Sequence, residues 1–269
     1  MHKLFAFMLS ISLAGAAVAD PEADKKAFQS YYKTMFPRVA LQDFANGVYG
    51  IDPPSRDQWE SLEEFPPYET DVDAGKAIYQ GSATLQKCFP DAEKGITQNY
   101  PYFDTAAQQV ITLPLAVNKC LSAAGEQPFS YKRGKIAQLT AYFAFRSRGK
   151  VINVKVPNAA ALQAYQEGKH LFYARRGQLN LSCAHCHVDN AGKRVRSDII
   201  SPALGHVSHF PVYREKWNGL GTLHRRFAVC NEQTRSTPFE AQSREYRNLE
   251  YFLSYMNNGI QLNGPAVRK

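Results

Sequence analysis

The chain is short of methionine and cysteine, with four and five in 269 residues. Both shortages narrow what it can do. Apolar runs are short as well: Leu4 to Ala14 cannot span a membrane, and nothing else in the sequence could. No second C-x-x-C accompanies Cys183 and Cys186, so a four-cysteine zinc site is excluded. An acidic excess is also missing. Lys and Arg number 32 against 24 Asp and Glu, a formal charge of +8. That balance suits acidic partners or anionic substrates.

The first nineteen residues read as a secretory signal. Lys3 supplies the positive charge, Leu4 to Ala14 the apolar core, and Ala17-Val18-Ala19 an A-x-A cleavage site before Asp20. Cleavage removes Lys3 and no acid, so the charge falls from +8 to +7. The expected location is the periplasm, where nucleic acid is not an expected partner.

Cys183-Ala184-His185-Cys186-His187 is C-x-x-C-H, the attachment motif of a c-type haem. Two thiols three positions apart can each form a thioether to a vinyl group of one porphyrin, and the adjacent His187 reaches the iron. Such haem is attached outside the bacterial cytoplasm, in agreement with the signal. Cys88, Cys120 and Cys230 remain, and an oxidising compartment would pair two of them.

The sequence also contains a diverged duplication. Asn99-Tyr-Pro101-Tyr-Phe103 corresponds to His209-Phe-Pro211-Val-Tyr213 at an offset of 110. At the same offset, Ile111-Thr112-Leu113 with Cys120 corresponds to Gly221-Thr222-Leu223 with Cys230, and Leu139, Tyr142 and Gly149 to Leu249, Phe252 and Gly259. Upstream, Gly75-Lys76 matches Gly168-Lys169 at an offset of 93, and the difference falls in the stretch that carries the haem motif.

The expected fold is therefore mainly α: two tandem cytochrome c-like domains from a duplication, the first without haem, plus an N-terminal arm. Residues 1–19 form the signal peptide, 20–70 the arm, 71–150 the haem-free domain, 151–157 an extended linker and 158–269 the haem-binding domain. Each Gly-Lys pair is read as the start of an amphipathic helix. Aromatic-rich helices are expected over 136–146 and 246–256, the latter with Leu249, Phe252, Leu253 and Met256 on one face. In the arm, Glu22 to Met35 reads as a helix, and Asp52-Pro53-Pro54 and Pro66-Pro67 as irregular chain. The first copy has lost its haem site, because Phe89-Pro90 follow Cys88 and no histidine comes after Cys88 until His170.

The ligand opposite His187 is open to several residues. Electron-carrying cytochromes c commonly use Met, but no Met lies between His187 and the closing helix, where Met256 reads as core. The loop offers His206, His209, His224 and Cys230. Cys230 follows Arg225 and Arg226, and nearby cations favour thiolate. Arg214, Lys216 and Arg235 would add to a positive field.

The run Tyr213-Arg214-Glu-Lys216-Trp217-Asn-Gly219-Leu-Gly221-Thr222-Leu223-His224-Arg225-Arg226, then Cys230-Asn231, resembles the SoxA cytochromes of the sulfur-oxidation system. So do Tyr246-Arg247-Asn248-Leu249-Glu250 with Asn258-Gly259, and Leu139-Thr140-Ala141-Tyr142 with Ser147-Arg148-Gly149. The resemblance covers most of the mature chain. The lost motif around Cys88 places it with the members that keep one haem c. It implies that Cys88 and Cys120 form a disulfide replacing the lost haem, contributing roughly 3 kcal/mol. It further implies that His187 and Cys230 are the axial ligands, that Cys230 carries a persulfide, and that Arg226 binds substrate.

The implied activity is that of an L-cysteine S-thiosulfotransferase. Thiosulfate is joined to a cysteine of the SoxY carrier (SoxYZ), and electrons pass through haem to a SoxX-type monohaem cytochrome in a heterodimer. A thiosulfate dehydrogenase forming tetrathionate and a plain electron carrier are the competing classes. A sensor ranks last, since no linked output domain is visible.

Overall fold

The computed structural model describes residues 20–268, so the expected signal peptide lies outside the described residues. Helices dominate, as the sequence predicts. The arm opens with α1 (Pro21–Met35), capped by the Asp20 carboxylate, which accepts from the amides of Glu22 and Ala23. Phe28 and Tyr32 bury its apolar face against Phe172 and Phe44. Asp24 ties it down by accepting from Lys169 Nζ at 2.6 Å and Tyr165 Oη at 2.8 Å.

Next come α2 (Val48–Ile51) and α3 (Pro53–Glu63). The expectation of irregular chain at Asp52-Pro53-Pro54 is overturned here. Proline in the first helical turn lacks only an N–H that would be unpaired anyway, and Asp52 Oδ2 accepts from the Ser55 amide at 3.1 Å as the cap.

Then follow α4 (Glu69–Gln80), α5 (Ala83–Cys88), strands β1 (Tyr102–Asp104) and β2 (Gln109–Ile111), α6 (Leu113–Ala123) and α7 (Lys135–Arg146). Residues 151–157, outside any helix, lead into α8 (Ala159–Tyr173), α9 (Cys183–His187), the short hairpin β3 (Arg194–Val195) and β4 (Asp198–Ile199), β5 (Val212–Arg214), β6 (Gly219–Gly221), α10 (Leu223–Gln233), α11 (Arg244–Met256) and β7 (Ala266–Arg268). Among the described residues no helix is long and apolar enough to cross a membrane.

Neither Gly-Lys pair starts a helix; Gly75 and Gly168 sit inside α4 and α8. They mark where α4 crosses α7 and α8 crosses α11. A Cβ at Gly75 would overlap the carbonyl of Gln138, and one at Gly168 that of Asn248. Glycine is needed there for close backbone approach.

Other geometry recurs at the offset of 110. β1–β2 pairs Tyr102 with Ile111 and Asp104 with Gln109; β5–β6 pairs Val212 with Gly221 and Arg214 with Gly219. Cis prolines, Pro101 and Pro211, precede both hairpins. Four backbone hydrogen bonds interlock the two chain turns: Gly149 N–H to Leu262 O, Gly259 N–H to Ile152 O, Ile152 N–H to Ile260 O and Leu262 N–H to Lys150 O, at 2.8–3.0 Å.

Apolar packing forms two clusters. One gathers Tyr79, Leu85, Phe89, Val117, Leu121 and Phe143. The other holds Tyr32, Tyr165, Phe172, Leu249, Phe252 and Met256. Each such large side chain contributes about 1.5–3 kcal/mol over its exposed state. A disulfide joins Cys88 at the end of α5 to Cys120 on α6.

Candidate haem and anion site

The helix α9 is one short turn, capped by Ser182 Oγ, which accepts from the His185 amide at 3.0 Å. Cys183, Cys186 and His187 stand at i, i+3 and i+4, so one helix face presents both thiols and the imidazole. Both thiols are free. His185 turns away, half-exposed, toward Asp189 at 4.0 Å.

The His187 Nδ1 lies 2.8 Å from the carbonyl of Ser201. A carbonyl only accepts, so Nδ1 carries the proton and Nε2 keeps its lone pair for a metal. The ring of His206 stands edge-on to His187 with centroids 4.3 Å apart, and its Nε2 is 2.9 Å from Ser201 Oγ. Burial pushes the His206 value well below the ordinary imidazole range. The loop's backbone is fixed from the arm: Tyr32 Oη donates to the carbonyl of His187 at 2.6 Å.

On α10, Cys230 comes within electrostatic reach of His187. Burial pushes its thiol up, but the charge of Arg226, the contact with His187 and the charge of Arg214 outweigh it, and the value falls to about 7. Arg226 stands four residues before Cys230, on the same helix face. Cys183 shows the contrast: burial, reinforced by Cys230, pushes it up to about 12.

Of the basic residues expected to add to the positive field, Arg214 acts on Cys230. Arg225 lies over the Trp217 ring at 4.2 Å and donates to the Leu220 carbonyl at 3.1 Å. Lys216 is exposed and pairs with Asp198 at 3.4 Å, and Arg235 is exposed. The remaining histidines are committed elsewhere. His209 Nδ1 lies 3.2 Å from the Ala45 carbonyl. His224 accepts from the Gln242 amide at 3.0 Å and lies 2.9 Å from Glu250. Met256 is core, 1% exposed.

Sequence reasoning offered His206 only as a candidate ligand and missed Tyr32 and Ser201, which position His187. No spacing signals them, because each acts through a contact between segments distant in sequence or through a main-chain carbonyl. The donor set suits a c-type haem: two free thiols, an imidazole with its Nε2 available, and an arginine-flanked thiol beside it.

Comparison with known proteins agrees with this chemistry. A family model described as the SoxA/TsdA cytochrome c domain matches residues 75–152, in the half without C-x-x-C-H. The L-cysteine S-thiosulfotransferase subunit SoxA of Allochromatium vinosum is 50% identical, with 100% of each chain covered. The subunit of that name from Chlorobaculum tepidum is 51% identical over 92% of this chain and 88% of its own. That of Paracoccus pantotrophus is 30% identical over 98% and 96%. The crystal structure of SoxXA from P. pantotrophus contains a chain that superposes with a TM-score of 0.72 at 29% identity, over 79% of this chain and 84% of that one.

Proposed function

The chain belongs to the SoxA family, and from that premise we propose that it is the cytochrome subunit of an L-cysteine S-thiosulfotransferase in thiosulfate oxidation. The observation that carries this reading is Arg226 standing one turn before Cys230 on α10, where, against the upward push of burial, its charge helps draw the thiol down to about 7.

Cys183 and Cys186 would hold one haem c by thioethers, and His187 and Cys230 would ligate its iron. The bound haem supplies one-electron acceptance next to the reacting sulfur. The chain's own residues do the rest. Arg226 offers a planar fork to the sulfonate oxygens of thiosulfate and offsets their charge. The Cys230 thiolate forms a bond to the sulfane sulfur, and two electrons leave. The thiolate of a cysteine on a SoxY-type carrier then attacks that sulfane sulfur, so the carrier S–S bond forms as the Cys230 S–S bond breaks. The net change consumes one carrier thiol and one thiosulfate and releases one proton and two electrons. A single haem takes one electron, so a SoxX-type monohaem partner is the second sink. A persulfide on Cys230 would form from the same adduct where water takes the sulfonate away as sulfate.

We also infer that 71–150 and 158–269 are two copies of one cytochrome c-like unit, supported by the hairpins, cis prolines and helix crossings that recur in both. Residues 1–19 would direct the protein to the periplasm, where c-type haem is attached.

The test is the purified protein with its monohaem partner, supplied with thiosulfate, with and without carrier. Carrier-dependent thiosulfate consumption is expected. Tetrathionate formed without carrier would replace this reading with a thiosulfate dehydrogenase.

A further inference from the structure

The helix α10, which carries Arg226 and Cys230, has no side-chain cap of its own. Its counterpart in the first half has one: Thr112 Oγ1 accepts from the Leu115 amide at 3.2 Å at the start of α6. The matching Thr222 reaches into the first half instead. Its Oγ1 donates to the Tyr131 carbonyl at 2.9 Å and its N–H to the Lys132 carbonyl at 3.2 Å. The Thr222 carbonyl in turn accepts from the Arg226 amide at 3.2 Å. The backbone of Arg226 therefore hangs from a residue that the other half holds.

A second tie runs through Gln242, in the loop before α11. Thr112 Oγ1 donates to Gln242 Oε1 at 2.7 Å, and the Gln242 amide donates to His224 Nδ1 at 3.0 Å, on the first turn of α10. Nδ1 accepts, so the other ring nitrogen carries the proton. That nitrogen faces Glu250 Oε2 at 2.9 Å, out of line for a hydrogen bond. Thr112, Gln242 and His224 are all buried.

Gln242 is held against its own backbone preference. Its φ is 67°, and among the described residues it is the one buried non-glycine residue with positive φ. Glycine would take that conformation freely, so a glutamine there points to a use for its side chain. Arg247 Nη1 donates to its carbonyl, so amide, carbonyl and Oε1 are all engaged. Surroundings that over-determine a strained residue in this way are found at functional sites.

The second copy departs from the first at this point. Across the offset of 110, His224 and Glu250 replace Pro114 and Thr140, and all four line a cavity of about 70 Å³. The polar pair thus belongs to the half that carries C-x-x-C-H.

We propose that the first half braces α10, with Thr112, Gln242 and His224 as positioning residues that fix Arg226 for the thiosulfate anion. The proposal rests on the reading of Arg226 given above. The three act through the helix and not on the substrate: they hold the first turn of α10, the end that would otherwise fray.

The test uses the haem-loaded chain in complex with its monohaem partner, as wild type, Thr112→Val, Thr112→Ser and Gln242→Gly. Thr112→Val keeps the side-chain shape and removes the hydroxyl. Gln242→Gly removes Oε1 while relieving the left-handed backbone, and it decides the matter if Thr112→Val does not fold. In both, hydrogen exchange at the amides of residues 222–227 should speed up roughly three- to tenfold. The KM for thiosulfate should rise by a similar factor, with kcat within about twofold, as expected when binding is lost and chemistry is kept. Thr112→Ser keeps the hydroxyl and should restore both readings. In an Arg226→Ala background, neither substitution should raise KM further.

Wild-type exchange and KM in folded Thr112→Val or Gln242→Gly would overturn the proposal. A KM that rises as far without Arg226 as with it would overturn it too. Thr112→Ser failing as Thr112→Val does would mark the contact as packing alone. Faster exchange in a protein without carrier-dependent turnover would remove the proposed activity and leave the brace on α10 standing. Carrier-dependent turnover that needs Arg226 but ignores Thr112 and Gln242 would remove the brace alone.

Discussion

A methyl group on Gly168 would overlap the backbone carbonyl of Asn248, and α8 and α11 cross at that contact. Gly168→Ala should force the helices apart at a cost of about 1–3 kcal/mol, lowering Tm by roughly 2–12 °C. Gly75→Ala, at the equivalent contact with Gln138, should cost a similar amount. The two should differ in haem content, which should fall in Gly168→Ala alone. Thermal melts and the ratio of Soret absorbance to protein measure both effects. Unchanged melting in both variants would show that the helices tolerate a wider crossing.

The cross-link between Cys88 and Cys120 spans 32 residues in sequence. Replacing both by Ala should cost about 3 kcal/mol in denaturant unfolding. The haem at Cys183 and Cys186 should remain, because neither thiol takes part in the cross-link.

Cys230→Met should keep the haem attached through Cys183 and Cys186. Exchanging a thiolate for a thioether should raise the haem potential, and sulfur transfer should fall by roughly a hundredfold or more. A redox titration alongside the turnover assay checks this, and undiminished turnover would remove Cys230 from the reaction.

Arg226→Ala should lower kcat/KM for thiosulfate by roughly ten- to a hundredfold while leaving the haem spectrum nearly intact. Arg226→Lys should recover only part, because the ammonium lacks the planar fork. A spectrum that collapses together with activity would mark Arg226 as structural.

A pH titration isolates the influence of Arg226 on the thiol. Haem attachment is blocked by replacing Cys183 and Cys186 with Ala, leaving Cys230 as the free thiol. Its lowered value makes the thiolate dominant above about pH 7. Alkylation by iodoacetamide should therefore rise through pH 7, with the midpoint moving up in Arg226→Ala. Coincident midpoints near 9, the ordinary thiol value, would contradict the assignment.

The sequence made some of this arrangement legible and hid the rest for identifiable reasons. C-x-x-C-H is local, so its helix face can be read from spacing alone. The apolar stripe of α11 is local too, and Leu249, Phe252, Leu253 and Met256 are all buried. Gly75 and Gly168 were visible as matched residues, but their role in helix crossings depends on partners more than sixty residues away in sequence. Arg214 and Lys216 are two positions apart and equally basic, yet one lies near Cys230 and the other pairs with Asp198 in solvent. β5 ends at Arg214 and the helical turn Glu215–Trp217 carries Lys216 away from it, and neither the end of that strand nor its pairing with β7 is signalled by composition. Pro53 misled because proline breaks a helix interior but suits a first turn.

The two halves are closed by unlike chemistry. Joining Cys88 to Cys120 takes only an oxidant, whereas the attachment proposed at Cys183 and Cys186 would take a porphyrin. Maturation of the chain thus answers to two independent supplies. A cell that lacks haem but can oxidise thiols would accumulate a half-finished protein, cross-linked in its first half and open in its second. The thiols of Cys183, Cys186 and Cys230 would then stand together unprotected, and the order in which oxidant and porphyrin arrive would decide between a working site and a mispaired one.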